Sequence, residues 1–157
     1  MDRLDKYKNL IILTTLSKIG FAAIRLGILF ASKEICETIN KVRLPYNINS
    51  FTQVFAQIAF ENMETIIQNN RIIIDERKRL FKRLQIIPGV EAFKSDANFI
   101  LMRVENSERV FRQLIEKGIL VRIFNSPERL KNCLRVTIGT GQENESFLKA
   151  LSAILSS

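Results

Sequence analysis

Apolar residues in the first third of the chain predict two strands followed by a helix. Continuous apolar stretches over residues 10–14 and 24–31 are typical of buried strands, and the second strand is expected to begin near Arg25. Ser32 is a suitable N-cap for a helix that runs to about Val42. The helical spacing of its apolar side chains predicts three buried positions, Ile35, Cys36 and Ile39.

A long helix is predicted in the middle of the chain, from about Glu61 to Leu84. Apolar pairs recur along it every seven residues, and Pro88-Gly89 ends it. A coiled coil would need more heptads, so a helix that bridges two domains fits the pattern better. The basic cluster over residues 77–83 is interleaved with apolar residues, which predicts a solvated face of this helix.

The last third of the chain alternates strands and helices, which predicts an α/β layer in which helices cover a small sheet. Strands are expected over residues 97–104, 119–124 and 134–138. Ser107 is a suitable cap for the helix that follows the first of these strands. Thr140-Gly141-Gln142-Glu143 has the spacing of a capping box and is expected to start the last helix.

The composition is that of a globular chain with an excess of positive charge. Its 157 residues include 24 Lys and Arg against 16 Asp and Glu, a net charge of +8. Nucleic acid is a candidate partner for such a chain, but no recognised module or aromatic platform accompanies the charge. Small anionic substrates explain the charge more economically, so neither nucleic acid nor a membrane is expected as a partner. No apolar run approaches the ~20 residues of a membrane span, and the N-terminus lacks a signal-peptide core, so a cytoplasmic location is expected.

Cysteine and histidine usage limits the chemistry of the chain. Cys36 and Cys133 lie far apart within apolar patterns, so both are expected to be buried free thiols. The chain contains no histidine, which excludes zinc sites of the Cys/His type and any histidine-based triad within it. No metal site is expected.

Candidate chemistry is concentrated between the first two predicted strands, at Ser17, Lys18 and Arg25. A lysine at the mouth of a buried strand, partly desolvated beside a second cation, loses its proton more easily and becomes a usable nucleophile. A nearby guanidinium suits a phosphate dianion. An aldehyde-reactive amine together with a phosphate-binding group is what pyridoxal 5'-phosphate (PLP) requires. The alternative is an ordinary surface lysine and arginine in a strand-to-strand loop.

The order of residues around Lys18 favours the PLP interpretation. The segment Thr15-Leu16-Ser17-Lys18, a short Gly/Ala-rich turn and Arg25-Leu26-Gly27 resemble the Schiff-base lysine segment of fold-type I PLP aminotransferases, in the histidinol-phosphate aminotransferase subfamily. The resemblance implies that Lys18 bonds the cofactor and acts as general base or acid. It also implies that Arg25 holds the cofactor phosphate and that Ser17 assists.

The resemblance continues in order along nearly the whole chain, from about Asn9 to the last predicted helix. A P-Y-N-x-N-S-x-T-Q run occupies residues 45–53 and opens the next helix. Three further segments match the C-terminal domain of the family. These are Ser95-Asp96-Ala97-Asn98-Phe99, Gly118-Ile119-Leu120-Val121-Arg122 and Leu134-Arg135-Val136-Thr137-Ile138-Gly139-Thr140.

Arg122 and Arg135 are predicted to lie on strands among apolar neighbours, where a charged side chain is costly unless it is paired. One interpretation is structural: both arginines lie at strand edges or pair with Asp or Glu. The other is a substrate anion clamp, since the planar fork of arginine bonds both oxygens of a carboxylate. The resemblance implies that Arg135 binds the substrate carboxylate, that Arg122 supports anion binding, and that Asn98 lies near the substrate or supports Arg135.

The resemblance implies a fold of about twice this length, in which other PLP-binding groups precede the lysine segment. Residues 1–60 would then be the end of the large PLP-binding domain, and residues 61–157 the bridging helix and the small C-terminal α/β domain. The implied function is transamination between histidinol phosphate and 2-oxoglutarate in histidine biosynthesis, by a homodimer. The alternatives are a related fold-type I PLP enzyme that acts on another amino acid or amino-acid phosphate, and a non-catalytic basic α/β binding module.

Overall fold

The structure is a computed structural model that describes residues 2–156, with the side chains of Asp2 and Lys18 excepted. It divides into two compact units, one that extends to Ile67 and one that begins at Gln68. Each unit contains helices and strands, so the expected mixed α/β composition is confirmed. None of the described helices combines the length and the apolar character needed to cross a lipid bilayer.

The first unit contains a two-stranded sheet and helices. Its elements are α1 (Asp2–Lys6), β1 (Ile12–Thr15), β2 (Gly27–Phe30), α2 (Lys33–Val42), α3 (Ser50–Glu61) and the start of α4 (Met63–Gln85). β1 and β2 pair antiparallel, with Ile12 opposite Phe30 and Thr15 opposite Gly27. The β1–β2 loop, residues 16–26, contains two 3-10 turns, Leu16–Lys18 and Ala22–Ile24.

The second predicted strand is shorter than expected, because β2 begins only at Gly27. Arg25 has a left-handed backbone conformation, with φ 54 and ψ 32. A residue in that region cannot extend a strand, so the chain turns there and enters the sheet two residues later.

The prediction that Ile35, Cys36 and Ile39 of α2 are buried is wrong, since all three are only half-buried. The physical reason is that a sheet of two short strands offers little area for a helix to cover. Several large apolar side chains of this unit are more than half exposed: Leu13, Val42, Phe51, Val54 and Ile58. The first unit therefore has little core of its own.

The second unit contains the main hydrophobic core of the chain. Its elements after α4 are β3 (Val90–Ala92), β4 (Phe99–Val104), α5 (Ser107–Glu116), β5 (Arg122–Phe124), β6 (Cys133–Thr137) and α6 (Gly141–Leu155). The four strands form one antiparallel sheet in the order β3-β4-β6-β5. The strand β3 was not predicted from the sequence, and Cys133 is buried and free as expected.

The two faces of this sheet differ because successive side chains of a strand point to opposite sides. One face is fully apolar: Ile100, Met102 and Val104 of β4 lie beside Leu134 and Val136 of β6, in the core with helices α4, α5 and α6. The opposite face, called the open face below, carries aromatic and arginine side chains. These are Phe99 and Arg103 of β4, Arg135 of β6, and Arg122 and Phe124 of β5.

Helix ends in the second unit follow local sequence signals, with one correction. The cap of α5 is Asn106, whose side chain accepts from the N–H of Arg109, and the predicted cap Ser107 is instead the first helical residue. After α5, Gly118 is left-handed, with φ 74. Its N–H donates to Ile115 O at 2.8 Å, and the next N–H donates to Leu114 O at 2.9 Å. This pair of bonds is a Schellman motif, in which glycine is favoured.

The predicted capping box at the start of α6 is present. The Thr140 hydroxyl accepts from the N–H of Glu143 at 3.3 Å, and Glu143 Oε2 accepts from the N–H of Thr140 at 2.7 Å. The backbone N–H of Thr140, and then its hydroxyl, hold the pKa of Glu143 below its ordinary value.

We expect Glu143→Gln to lower the melting temperature at neutral pH, because the amide accepts the two Thr140 bonds less strongly than a carboxylate. A carboxyl whose pKa is lowered by folding stabilises the fold above its unfolded pKa, and this contribution is lost as the pH falls through the folded pKa. The difference in melting temperature between parent and variant should therefore shrink as the pH is lowered below about 4. A difference that persists unchanged in acid would contradict this role.

Candidate functional site

The β1–β2 loop is closed by Thr15. Its hydroxyl donates to Leu26 O at 3.1 Å and lies 2.9 Å from the Ser17 hydroxyl. It also accepts from the N–H of Ser17 at 3.2 Å. These bonds join the two ends of the loop and fix the Ser17 hydroxyl beside the end of β1.

Lys18 is the last residue of the turn that follows β1, so its backbone lies just beyond the first strand. The prediction that this strand is buried is wrong, since Leu13 and Thr14 are exposed in a sheet of only two strands. The N–H of Ile19 donates to Leu16 O at 3.2 Å and closes this turn. The side chain of Lys18 lies outside the described part of the structure.

Arg25 is exposed and projects from the left-handed position at the end of the same loop. Its Nη1 donates to Ala22 O at 3.4 Å. Among the described residues, no carboxylate lies within 4.0 Å of its guanidinium. The charge is therefore uncompensated on a short loop that also carries the Ser17 hydroxyl, an arrangement suited to an anion.

Sequence reasoning missed the residue that supports this loop from α3. Thr52 is buried, 6% exposed, and its hydroxyl donates to Ile24 O at 3.1 Å. The ring of Phe55, on the same helix, meets the ring of Phe21 edge-on with centroids 5.5 Å apart. The partners are about 30 positions apart along the chain, so no local pattern could have revealed them. The only sequence signal is that Thr52 belongs to the segment over residues 45–53.

The second unit brings Arg122 and Arg135 together on the open face of its sheet, where they lie directly opposite each other on β5 and β6. Arg135 is half-buried, with its Cζ 5.0 Å from the ring centre of Phe99 and 5.9 Å from that of Phe124. Arg122 is exposed and lies 5.8 Å from the centre of Phe124. The two rings therefore hold both guanidinium groups in place by cation–π contact.

The structural interpretation requires each arginine to lie at a strand edge or to pair with Asp or Glu. Arg122 meets the first condition only, and Arg135 meets neither. Arg122 lies on the edge strand β5, whereas Arg135 lies on the inner strand β6. Neither forms an ion pair with a carboxylate of the part of the chain that the structure describes. Like charges directly opposite each other on neighbouring strands destabilise a sheet, and an anion bound between them would remove that cost.

A groove of about 580 Å³ runs along this edge of the sheet and includes both arginines. Its walls are otherwise apolar except for one hydroxyl. The lining residues are Phe111, Leu120, Val121, Arg122, Ile123, Arg135 and Thr137. The groove is large enough for a small anionic molecule.

Asn98 precedes β4, and its carbonyl accepts from the N–H of Ile138 at 2.9 Å. Among the described residues, Asn98 forms no hydrogen bond with Arg135. The next residue, Phe99, contacts Arg135 through its aromatic ring. Arg77 of α4 holds this segment, with Nη1 2.9 Å from Ala97 O. The Arg77 side chain is only 15% exposed, so the prediction that the whole basic cluster forms a solvated face is wrong at this position.

Comparison with known proteins gives consistent matches along the chain. Residues 1–151 match the family described as aminotransferase class I and II. The chain is 44% identical over 156 residues to histidinol-phosphate aminotransferase 2 of Nitrosococcus oceani, a match that covers 98% of this chain and 43% of the relative. The chain thus spans less than half the length of this relative.

Solved structures share the fold. The histidinol-phosphate aminotransferase of Clostridium acetobutylicum superimposes with a TM-score of 0.85 at 28% identity, covering 99% of this chain and 48% of that one. The histidinol-phosphate aminotransferase of Sinorhizobium meliloti, solved in complex with pyridoxal-5'-phosphate, superimposes with a TM-score of 0.77 at 20% identity, over 95% of this chain and 42% of that one.

Proposed function

The chain belongs to the class I and II aminotransferase family, and on that premise we propose that it supplies the C-terminal part of a PLP-dependent aminotransferase. The resemblance to histidinol-phosphate aminotransferases is confirmed by 44% identity over nearly the whole chain. The proposed reaction transfers an amino group between histidinol phosphate and 2-oxoglutarate, as a step of histidine biosynthesis. The observation that carries the proposal is the β1–β2 loop, where Ser17 and the uncompensated Arg25 flank the segment of Lys18.

The residues of this loop fit PLP by the chemistry of their donors. An uncompensated guanidinium and a hydroxyl on the same loop are suited to a phosphate dianion, and among the described residues no carboxylate lies within 4.0 Å of the Arg25 guanidinium. Arg25 and Ser17 would therefore hold the cofactor phosphate, and Lys18 would hold the cofactor through its amine. When bound, PLP supplies an electron sink for the bonds at the substrate's amine-bearing carbon.

Lys18 would also move protons during the reaction. Its amine would act as the general base or acid for the proton that the amine-bearing carbon loses and regains. Its place at the end of β1 fixes the backbone from which it acts.

Arg135 and Arg122 would hold the anionic end of the substrate. 2-Oxoglutarate and glutamate present a carboxylate, and histidinol phosphate presents a phosphate in its place. The cation–π contacts of Arg135 with Phe99 and Phe124 orient its fork before a substrate arrives, which reduces the entropy lost on binding. Asn98 would support this arrangement through Phe99, which follows it in the chain.

The domain assignment extends the proposal. Residues 1–60 would be the end of the large PLP-binding domain, and residues 61–157 the bridging helix and the small domain, in a homodimeric, cytoplasmic enzyme. The weak core of the first unit supports this assignment, because its exposed apolar side chains are expected to pack against further parts of a large domain.

The purified 157-residue chain alone is expected to show no transaminase turnover and to self-associate. Its relatives are more than twice as long, and a carboxylate that pairs with the pyridinium nitrogen of PLP would have to come from the remainder. Coupled assays with histidinol phosphate and 2-oxoglutarate, together with size-exclusion chromatography, test this expectation. Robust turnover by the chain alone would show that its functional boundaries are wrong.

A hybrid enzyme tests the proposed function itself. In the Nitrosococcus oceani relative, the matched segment, 43% of its length, is replaced by this chain. We expect the hybrid to bind PLP, seen as visible absorbance, and to consume histidinol phosphate only when 2-oxoglutarate is present. The unmodified relative is the control. A hybrid that is folded by circular dichroism but lacks the PLP absorbance would contradict the proposal, and one active only on other amino acids would assign the chain to a related PLP enzyme.

A further inference from the structure

Thr52 contributes an unusual hydrogen bond to the first unit. Thr52 is the only buried polar residue among the described side chains of that unit, with 6% of its surface exposed. Its hydroxyl donates to Ile24 O at 3.1 Å across 28 positions of sequence. A buried hydroxyl keeps such a bond because leaving the group unpaired is costly, so α3 and the β1–β2 loop are held together at this point.

The Ile24 carbonyl belongs to the peptide group that joins Ile24 to Arg25. Arg25 is left-handed, with φ 54, a conformation that an arginine rarely adopts without support from its surroundings. The hydrogen bond from Thr52 to the Ile24 carbonyl fixes the plane of this peptide group. The plane in turn sets the direction in which the Arg25 side chain leaves the backbone.

The support comes from a fixed position on α3. The N–H of Thr52 donates to Asn49 Oδ1 at 2.8 Å, in the N-cap of that helix. Phe55 lies one turn further along the same face and meets Phe21 of the loop, with ring centroids 5.5 Å apart. Two contacts from one helix face therefore hold the turn that carries Arg25.

We propose that Thr52 is a positioning residue for phosphate binding: its hydroxyl holds the Ile24–Arg25 peptide so that the Arg25 guanidinium is directed at the phosphate of PLP. This inference rests on the proposed function, because it takes that phosphate as the ligand of Arg25. Thr52 acts through Arg25 and does not itself touch the cofactor.

Comparison of PLP with pyridoxal, which lacks the phosphate, measures this role directly. The hybrid enzyme, freed of PLP, is incubated with either aldehyde over a range of concentrations and trapped with borohydride, and the label on Lys18 is quantified. The concentration for half-labelling should be at least about 10-fold lower for PLP than for pyridoxal, because of the charge-assisted bonds to the phosphate. In Thr52→Val, which keeps the shape but removes the hydroxyl, this preference should fall to about 2-fold or less, and Thr52→Ser should restore it.

Matched variants separate positioning from stability. Thr38→Val removes a similar hydroxyl–carbonyl bond, Thr38 Oγ1 to Glu34 O at 2.9 Å on the exposed face of α2, and should leave the preference unchanged. Arg25→Gln should lower the preference at least as far as Thr52→Val does, and adding Thr52→Val to it should lower it no further, since both act on one interaction.

Three results would overturn the inference. The first is an unchanged preference in Thr52→Val, and the second is an equal loss of labelling by PLP and pyridoxal, which marks a purely structural role. The third is an additive loss in the Arg25→Gln double variant. Failure of the proposed function is distinguishable from these, because the parent hybrid enzyme would then carry no PLP label on Lys18, or Arg25→Gln would keep the full preference.

Discussion

Replacement of Lys18 by alanine in the hybrid enzyme is expected to lower kcat by about 100- to 10,000-fold, the range that a positioned general base contributes, with a further loss because the cofactor is no longer held covalently. The visible absorbance of the protein-bound cofactor should also change, since the amine that holds it is gone. Both quantities can be measured on the same preparation by spectroscopy and a coupled assay.

The matched control is Lys41→Ala, which removes an exposed lysine from the last turn of α2 in the same unit. It should leave activity and absorbance unchanged. Retention of more than half of the activity in Lys18→Ala would show that another amine performs the role assigned to Lys18.

Arg135→Lys is expected to lower kcat/KM of the hybrid enzyme, and the two half-reactions show which substrate depends on Arg135. Lysine keeps the charge but loses the two-pronged geometry of arginine. The loss of a charge-assisted bidentate contact should cost about 2–4 kcal/mol in transition-state binding, a fall of roughly 30- to 1000-fold in kcat/KM. Glutamate carries a carboxylate and histidinol phosphate does not, so stopped-flow measurement of the two half-reactions shows which anion Arg135 binds.

The half-reactions distinguish three arrangements of the anion site. A loss confined to glutamate means that Arg135 serves the carboxylate and that another cation binds the phosphate. An equal loss in both means that one arginine binds either anion. No loss in either, together with a lower melting temperature, would make Arg135 a structural charge and contradict its proposed role, with Arg122 the next candidate. Arg129→Lys, at an exposed position of the same unit, is the control.

Local signals in the sequence predicted the helices well. The long helix was expected from Glu61 to Leu84 and is observed as Met63–Gln85. It ends where expected because Pro88-Gly89 follows, a signal that acts within a few residues. The capping box at Thr140 likewise placed the start of α6, because both of its hydrogen bonds form between residues three apart.

Features that depend on distant contacts could not be predicted. Nothing in the sequence around Arg25 indicates a left-handed residue, since its support comes from Thr52, 28 positions after Ile24. The basic cluster of α4 has helical spacing, but this spacing does not indicate that the Arg77 side chain donates a hydrogen bond to Ala97 O. β3 has only three residues, with Glu91 at its centre, and it is stabilised by pairing with β4 and not by its own pattern.

The sequence predicted the placement of some candidate site residues and not of others. Ser17, Lys18 and Arg25 lie close together in sequence, so their shared loop followed from the order of residues. The pairing of Arg122 with Arg135 depends on the register between β5 and β6, which is set by the whole sheet. Their rings Phe99 and Phe124 come from two other segments and were recognised only in the structure.

Peptide mapping shows whether Lys18 is the lysine that holds PLP. The hybrid enzyme is reduced with borohydride in the presence of PLP, digested with trypsin and analysed by mass spectrometry. Trypsin does not cleave after a modified lysine, so we expect one labelled peptide that spans residues 9–25, in place of the separate peptides 9–18 and 19–25. A label found on any other lysine, with residues 9–18 and 19–25 recovered as unmodified peptides, would show that Lys18 does not hold PLP.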